Sequence, residues 1–347
     1  MTKKIRMVQV GCGKMSKEII KYAMAKDIEI VGAVDNRPEA IGQDLGLYLG
    51  YDQALGVKIS NDPHEVFQNC DADVALVTIA SYIKDFMPSL EIPLTYGVNV
   101  LTISEEALYS WTTSVAETNR LDKIAKANNV TISGTGMQDI YWVLFPTLLA
   151  AGMNDVQKIS GEVSYDVEHY GKALAEAHGV GYDQVKFDKE IANATDLPSY
   201  SWMTAEAICA KMGWTIKRIA QKNVPIVLDK DIPSKTMERP IKAGEAIGMS
   251  AVATIETVQG PVVEVGCTGK VYQTGEGDLC TWSIEGTPSM QFEVTKPDTP
   301  KHTCATLINR IPTVINSNAG YVTIDQLQPV EYMTYPAHLY LDKNRQN

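Results

Sequence analysis

The chain has 347 residues, of which 45% are apolar and 21% charged, and a net charge of −11. That length holds two domains at roughly 100–200 residues each, and the composition is that of a globular protein. The acidic balance excludes nucleic acid and anionic membrane surfaces as partners, because both demand a basic face. No apolar run approaches the ~20 residues a membrane-spanning helix needs.

The basic start, Lys3-Lys4-Ile5-Arg6, runs straight into a strand without a small-residue cleavage site. No secretory signal is therefore expected, and the cytoplasm is the expected compartment. Cysteines 12, 70, 209, 267, 280 and 304 are scattered, without a C-x-x-C pair or metal-ligand spacing to a histidine. They read as thiols in a reducing compartment, and no metal is expected.

In chain order, Ile5–Val10 is an apolar strand, followed by Gly11-Cys12-Gly13-Lys14-Met15-Ser16 and a helix over Lys17–Ala25. A second strand, Ile28–Val34, ends in Asp35, 22 positions after Gly13. A strand, a glycine turn, a helix, a strand and then an acid form the context of a dinucleotide fingerprint. Gly11 permits the tight turn, and Gly13 lets a pyrophosphate approach the backbone. The helix N-terminus adds unpaired N–H groups and partial positive charge. The third position is Ser16 rather than Gly or Ala. Asp35 is placed to accept from adenine-ribose hydroxyls, which favours NAD. Arg37 either stacks on adenine, meets a 2′-phosphate or is a solvated charge, so the cofactor is NAD or NADP with the preference open.

The winding continues through a short strand at 58–60, a helix opened by Pro63 and the apolar strand Asp73–Ala80. Thr78 and Ser81 are expected near the cofactor, because ligands sit beyond strand carboxyl ends. A helix over 83–96 leads to the strand Asn99–Ile103, and then come Glu105 and Glu106. A helix to about Asn128, the strand Asn129–Ser133 and the turn Gly134-Thr135-Gly136 complete the first domain, set at residues 1–140.

Beyond it, Tyr141–Leu149 reads as an amphipathic helix and Lys158–Asp166 as an alternating strand, while 173–224 reads as mostly helical. Four β-like runs follow over 250–259, 262–272, 279–285 and 289–295, separated by Gly and Pro turns. The fold class is α/β: a Rossmann-type doubly wound parallel sheet, then an α+β domain with an open, mostly antiparallel sheet. The second domain is set at 141–347, with a helix at about 303–315 returning toward the first. A cleft between the two is the default site for chemistry.

Dehydrogenases of this architecture often place a lysine after the fifth strand, where Ser104-Glu105-Glu106-Ala107 stands here. Ketone reduction develops negative charge on oxygen and wants a cationic partner. An iminium ion is already cationic, and a carboxylate stabilises it and can take a proton from an amine. The inversion of charge therefore points to C–N rather than C–O chemistry. The competing reading makes the two acids N-terminal charges of the following helix.

The glycine turn, the segment Asn99–Leu108 with its paired glutamates, Trp142, Tyr165 and the segment Thr303–Thr323 together resemble the 2,4-diaminopentanoate dehydrogenase family. They also resemble the related native amine dehydrogenases, whose N-terminal domain is dihydrodipicolinate-reductase-like. The resemblance spans nearly the whole chain. It implies that a glutamate after the fifth strand holds the amine or incoming ammonia; by spacing to Trp142 this is Glu105, with Glu106 second. It further implies an aromatic pocket of Trp142, Tyr165 and Tyr170, and a homodimer that uses NAD or NADP. The expected function is reversible oxidative deamination of an amine through an iminium held by Glu105. The alternatives are 2,4-diaminopentanoate dehydrogenase proper, a dihydrodipicolinate- or homoserine-type reductase without nitrogen incorporation, and a non-enzymatic cofactor sensor.

Overall fold

A computed structural model of the chain describes residues 3–169, 172–192 and 199–342. They form two compact units, one ending at Ile140 and resuming at Pro300, the other spanning Tyr141–Thr299.

The first unit alternates strands and helices: β1 (Arg6–Val10), α1 (Ser16–Ala25), β2 (Glu29–Val34), α2 (Leu45–Tyr48), β3 (Ile59–Ser60), α3 (Pro63–Asn69), β4 (Val74–Val77), α4 (Met87–Thr95), β5 (Asn99–Thr102), α5 (Val115–Ala127) and β6 (Thr131–Gly134). The strands β4, β5 and β6 are buried at every position. That is why they read as continuous rather than alternating apolar runs. Helix α1 turns Ile19, Ile20 and Ala23 into the core; each large side chain so buried stabilises the fold by about 1.5–3 kcal/mol. Asp62 caps α3 by accepting from the N–H groups of His64 and Glu65, ahead of Pro63 in the first turn.

In the second unit, α6 (Phe145–Ala150) precedes β7 (Asp155–Asp166), α7 (Lys172–Ala177), α8 (Gln184–Phe187) and α9 (Tyr200–Met212). The strands β8 (Ile216–Val227), β9 (Ala246–Thr257), β10 (Val262–Lys270), β11 (Leu279–Thr287) and β12 (Met290–Thr295) follow. The sheet order is β12-β11-β7-β10-β9-β8. Only β10 and β7 run parallel among these neighbours; the other pairs are antiparallel. The expected helical reading of 213–224 is corrected here, because β8 pairs along its length with β9. As an edge strand it leaves most positions half-exposed or exposed, and Ile216 and Ile219, three apart, imitate helical spacing.

The chain then forms α10 (Thr299–Asn316) and β13 (Gly320–Tyr321). The strand β13 pairs parallel with β6, so the first sheet has the order β13-β6-β5-β4-β1-β2-β3. The described residues from 300 to 342 thus group with the first unit, whereas the expected boundary left them in the second. A two-residue strand has no periodicity to reveal it. Its hold comes from tertiary contacts: Tyr321 meets Trp111 edge-on, and Arg310 on α10 forms a buried ion pair with Asp139 at 2.7 Å. Among the described residues, no helix is long and apolar enough to cross a membrane.

Candidate active site

At the carboxyl end of β1, Gly11 takes φ +85°, and a Cβ there would stand 2.8 Å from the Thr78 carbonyl oxygen. The position therefore requires glycine for both conformation and space. The Gly11 carbonyl accepts from the Ser16 hydroxyl (2.9 Å), the Thr78 hydroxyl (3.0 Å) and the Gln9 side-chain amide (2.8 Å). Ser16, the departure from the fingerprint, is thus a brace of the turn. Gln9 is a brace that the motif does not reveal; a fully buried amide in an apolar strand was its only signal. Gly13 has open space where a Cβ would point. Lys14 is exposed and Met15 half-buried.

Asp35, at the end of β2, accepts from the Cys12 N–H at 2.7 Å. It also accepts from the Arg37 N–H at 2.9 Å and from the Arg37 guanidinium at 2.9 and 2.8 Å. Burial alone would raise its pKa, but these donors outweigh it and hold the carboxyl at about 2. The guanidinium also lies 5.5 Å from the Tyr48 ring centre. Burial pushes the Cys12 thiol up to about 12, so it is a packed thiol rather than a nucleophile. Gly11, Gly13, Asp35, Arg37, Thr78 and Phe86 are among the residues lining a cavity of about 520 Å³. The forced glycine, the open face at Gly13, the acid and the adjoining guanidinium fit the phosphate and ribose ends of a nicotinamide dinucleotide.

At the end of β5 the two glutamates part company. Glu106 is buried; one carboxylate oxygen accepts from the Ile83 N–H at 2.7 Å and the other from the Ser114 hydroxyl at 2.6 Å. Its own N–H donates to the Ser81 carbonyl, as does the Ser104 hydroxyl. Ser81, expected beside the cofactor, ties the end of β4 to this acidic turn. On the opposite side Gly134 lies against Ala107 so closely that a Cβ would strike the Ala107 backbone. The Tyr321 hydroxyl donates to the Ala107 carbonyl at 3.2 Å. The turn is a short 3₁₀ segment, Glu106–Leu108, and α5 begins only at Val115. The two acids are therefore not N-terminal charges of the long helix.

Glu105 is half-buried. Burial pushes its carboxyl above the ordinary glutamate range, against hydrogen bonds from Ser81 and its own N–H. Tyr82, which sequence reasoning missed, stands close enough that burial and then both glutamates raise its phenol pKa.

Trp142 and Tyr165 lie in the second unit. Trp142 is buried in a π-helical stretch, Asp139–Leu144, rather than in the plain helix expected there. Such turns are frequent at functional sites. Tyr165 lies on β7, with its hydroxyl 2.6 Å from Nε2 of His178. Tyr170 lies outside the described residues.

Known proteins are similar to this chain in sequence and fold. Residues 143–337, more than half of the chain, match the model of the 2,4-diaminopentanoate dehydrogenase C-terminal domain. The chain belongs to the 2,4-diaminopentanoate dehydrogenase family. Residues 5–100 match the dihydrodipicolinate reductase N-terminus. The 2,4-diaminopentanoate dehydrogenase of Acetoanaerobium sticklandii is 25% identical, with 93% of each chain covered. The structure of an amine dehydrogenase from Mycobacterium smegmatis is 35% identical, with a TM-score of 0.87 over 96% of this chain and 98% of that one. A 4-hydroxy-tetrahydrodipicolinate reductase of Wolbachia pipientis is 26% identical over 55% of this chain and 67% of its own length. As a member of the family, this chain is an NAD(P)-dependent dehydrogenase of the diaminopentanoate dehydrogenase and amine dehydrogenase type.

Proposed function

We propose that this family member interconverts a primary amine with its ketone or aldehyde plus ammonia, in the cytoplasm. The observation that carries the reading is Glu105, a carboxyl group on the turn after β5 whose ionisation is opposed by burial. A cation beside such a group restores its ionisation, and the pair gains more than it would in water. An iminium ion or an ammonium group is that cation. A bound nicotinamide supplies the hydride acceptor for amine oxidation, or the donor for the reverse reaction. Glu105 holds the amine or incoming ammonia and stabilises the cation through the reaction. Glu106 keeps the turn in place through Ile83 and Ser114. Trp142, Tyr165 and Tyr170 are the residues assigned, within this proposal, to the apolar part of the substrate. Gly11–Met15, Asp35, Arg37 and Thr78 hold the dinucleotide. Arg37 lets the site take either NAD, by staying on Asp35, or NADP, by turning to a 2′-phosphate.

The test is an NAD- and NADP-linked oxidation screen over 2,4-diaminopentanoate, alkylamines and cycloalkylamines, with the matching ketones assayed with and without ammonium. Nitrogen incorporation that depends on ammonium is expected. Ketone reduction that ignores ammonium would replace this reading with a simple reductase. For Arg37→Ala the expected result is a loss of NADP use, with the KM for NADP rising roughly tenfold relative to that for NAD, on the order of 1.4 kcal/mol for one charged contact.

We also propose a homodimer. One face of the second sheet carries Lys158, Arg218 and Lys222 with Glu256 and Glu264, and opposite charges on one flat face can pair across a two-fold axis. Sedimentation at micromolar concentration should find a dimer, and Lys222→Glu should weaken it.

A further inference from the structure

The cavity that contains Gly11, Gly13 and Asp35 has walls that phosphate and ribose do not need. They come from the segments that open α3 and α4: Pro63 from the first, and Asp85, Phe86 and Pro88 from the second. Phe67 of α3 and Phe86 share one buried core cluster, which fixes the two segments against each other. Pro63, Phe86 and Pro88 present apolar surface, and a proline has no N–H left to satisfy. Such surface suits the face of a planar, uncharged ring.

Asp85 is the charged member of this wall. It closes a short 3₁₀ turn, Ile83–Asp85, and is exposed. The turn is pinned from inside. The Ile83 N–H donates to the buried Glu106 carboxylate at 2.7 Å. The Asp85 N–H donates to the Tyr82 carbonyl at 3.1 Å, and the Phe86 N–H to the Ile83 carbonyl at 3.2 Å. The Asp85 carboxylate itself meets no hydrogen-bond donor or cation among the described residues. Asp35 differs, since its oxygens carry the Cys12 and Arg37 donors. A bare anion beside a pyrophosphate-bearing cofactor opposes binding unless a donor on that cofactor meets it. At its adenosine end the cofactor has donors in two places, the ribose hydroxyls and the exocyclic amino group of adenine. Asp35, at the end of β2, is the residue assigned to the ribose. The amino group of the base is the donor left for Asp85.

We propose that Asp85 reads the base of the cofactor, its carboxylate accepting from the exocyclic amino group of an adenine that lies against Pro63, Phe86 and Pro88. The proposal rests on the nicotinamide dinucleotide reading of this cavity. It makes the site selective for an adenine dinucleotide over the hypoxanthine one. Hypoxanthine carries a carbonyl oxygen where adenine carries the amino group, so the carboxylate would face an acceptor and stay unpaired. The turn is held before the cofactor arrives, so little ordering is needed to make the contact. Glu106, which braces the neighbouring glutamate turn through Ser114, braces this turn through Ile83.

The experiment is a fluorescence titration of the full chain with NADH and with its hypoxanthine analogue, deamino-NADH, and needs no amine turnover. The wild type is expected to bind NADH roughly tenfold more tightly than the analogue. In Asp85→Ala the Kd for NADH should rise by about that factor and the Kd for the analogue should not, which leaves the two equal. In Asp85→Asn the amide can turn either its oxygen or its nitrogen to the base, so both cofactors should again bind alike. The side chain is exposed, so both variants should melt with the wild type. A wild type that binds the two cofactors equally would overturn the assignment. So would a preference that survives Asp85→Ala, or an equal weakening of both cofactors in that variant; each leaves the dinucleotide site itself intact. A wild-type chain that binds neither cofactor would overturn the dinucleotide reading, and the base reading with it.

Discussion

Two carboxylates at strand ends of the same parallel sheet are treated in opposite ways. Asp35 is surrounded by donors, with the Cys12 and Arg37 N–H groups and a two-pronged guanidinium all on its oxygens. Its pKa of about 2 makes it a permanent anion. Glu105 has the Ser81 side chain and its own N–H as partners, and burial drives it the other way. A carboxylate saturated with donors can recognise and orient but has little left to give an incoming cation. One that is under-solvated gains most when a cation arrives. The difference separates, within one sheet, an anion held by its donors from a carboxyl whose ionisation burial opposes.

The sharpest way to break this comparison is to remove Glu105. Glu105→Ala should cost roughly 10²–10⁴-fold in amine turnover while NADH binding stays at the wild-type value; full amination activity in that variant would end the assignment. Gly11→Ala should do the reverse. A strained backbone and a contact with the Thr78 carbonyl cost about 1–3 kcal/mol, read as a ten- to hundredfold weaker cofactor Kd by titration.

Glu106→Ala tests whether the neighbouring acid is structural. It strips the Ile83 N–H and the Ser114 hydroxyl of their acceptor, at about 1–3 kcal/mol for each buried group left unpaired. A clear drop in melting temperature should follow. The smallest effect is on stability at Glu105 itself. Its folded-state pKa lies above the unfolded value, so the unfolded chain ionises first as pH rises and stability falls through that window. Glu105→Gln should therefore melt higher than wild type at neutral pH, with the gain vanishing below the ordinary glutamate pKa. Equal melting temperatures at both pH values would mean that burial does not strain this carboxyl.

The first sheet and its cofactor turn were legible because buried parallel strands read as apolar runs and the turn carries its own glycines and acid. Glu105 stood out as a candidate for a related reason, since an acid directly after an apolar strand has few ordinary uses. What stayed hidden depends on tertiary contact. Gln9, Tyr82 and Ser114 act through partners distant in sequence, and a polar residue alone does not announce its partner. Whether Glu105 or Glu106 was the structural acid could not be read from adjacency; Ile83 and Ser114 decide it. The strand β8 hid behind a helical spacing of isoleucines, and β13 was too short for any pattern. The start of α5 at Val115 was obscured by the 3₁₀ turn that takes up the glutamates first.

The contact of Gly134 with Ala107 has a consequence for anyone reshaping the substrate range of this chain. Two backbones in direct contact leave no slack, so the carboxylate turn cannot be nudged by swapping its neighbours. Any side chain at position 134 would push the whole glutamate turn as a rigid piece. Libraries that spare Gly134 and vary positions away from this turn would leave the carboxylate where it is.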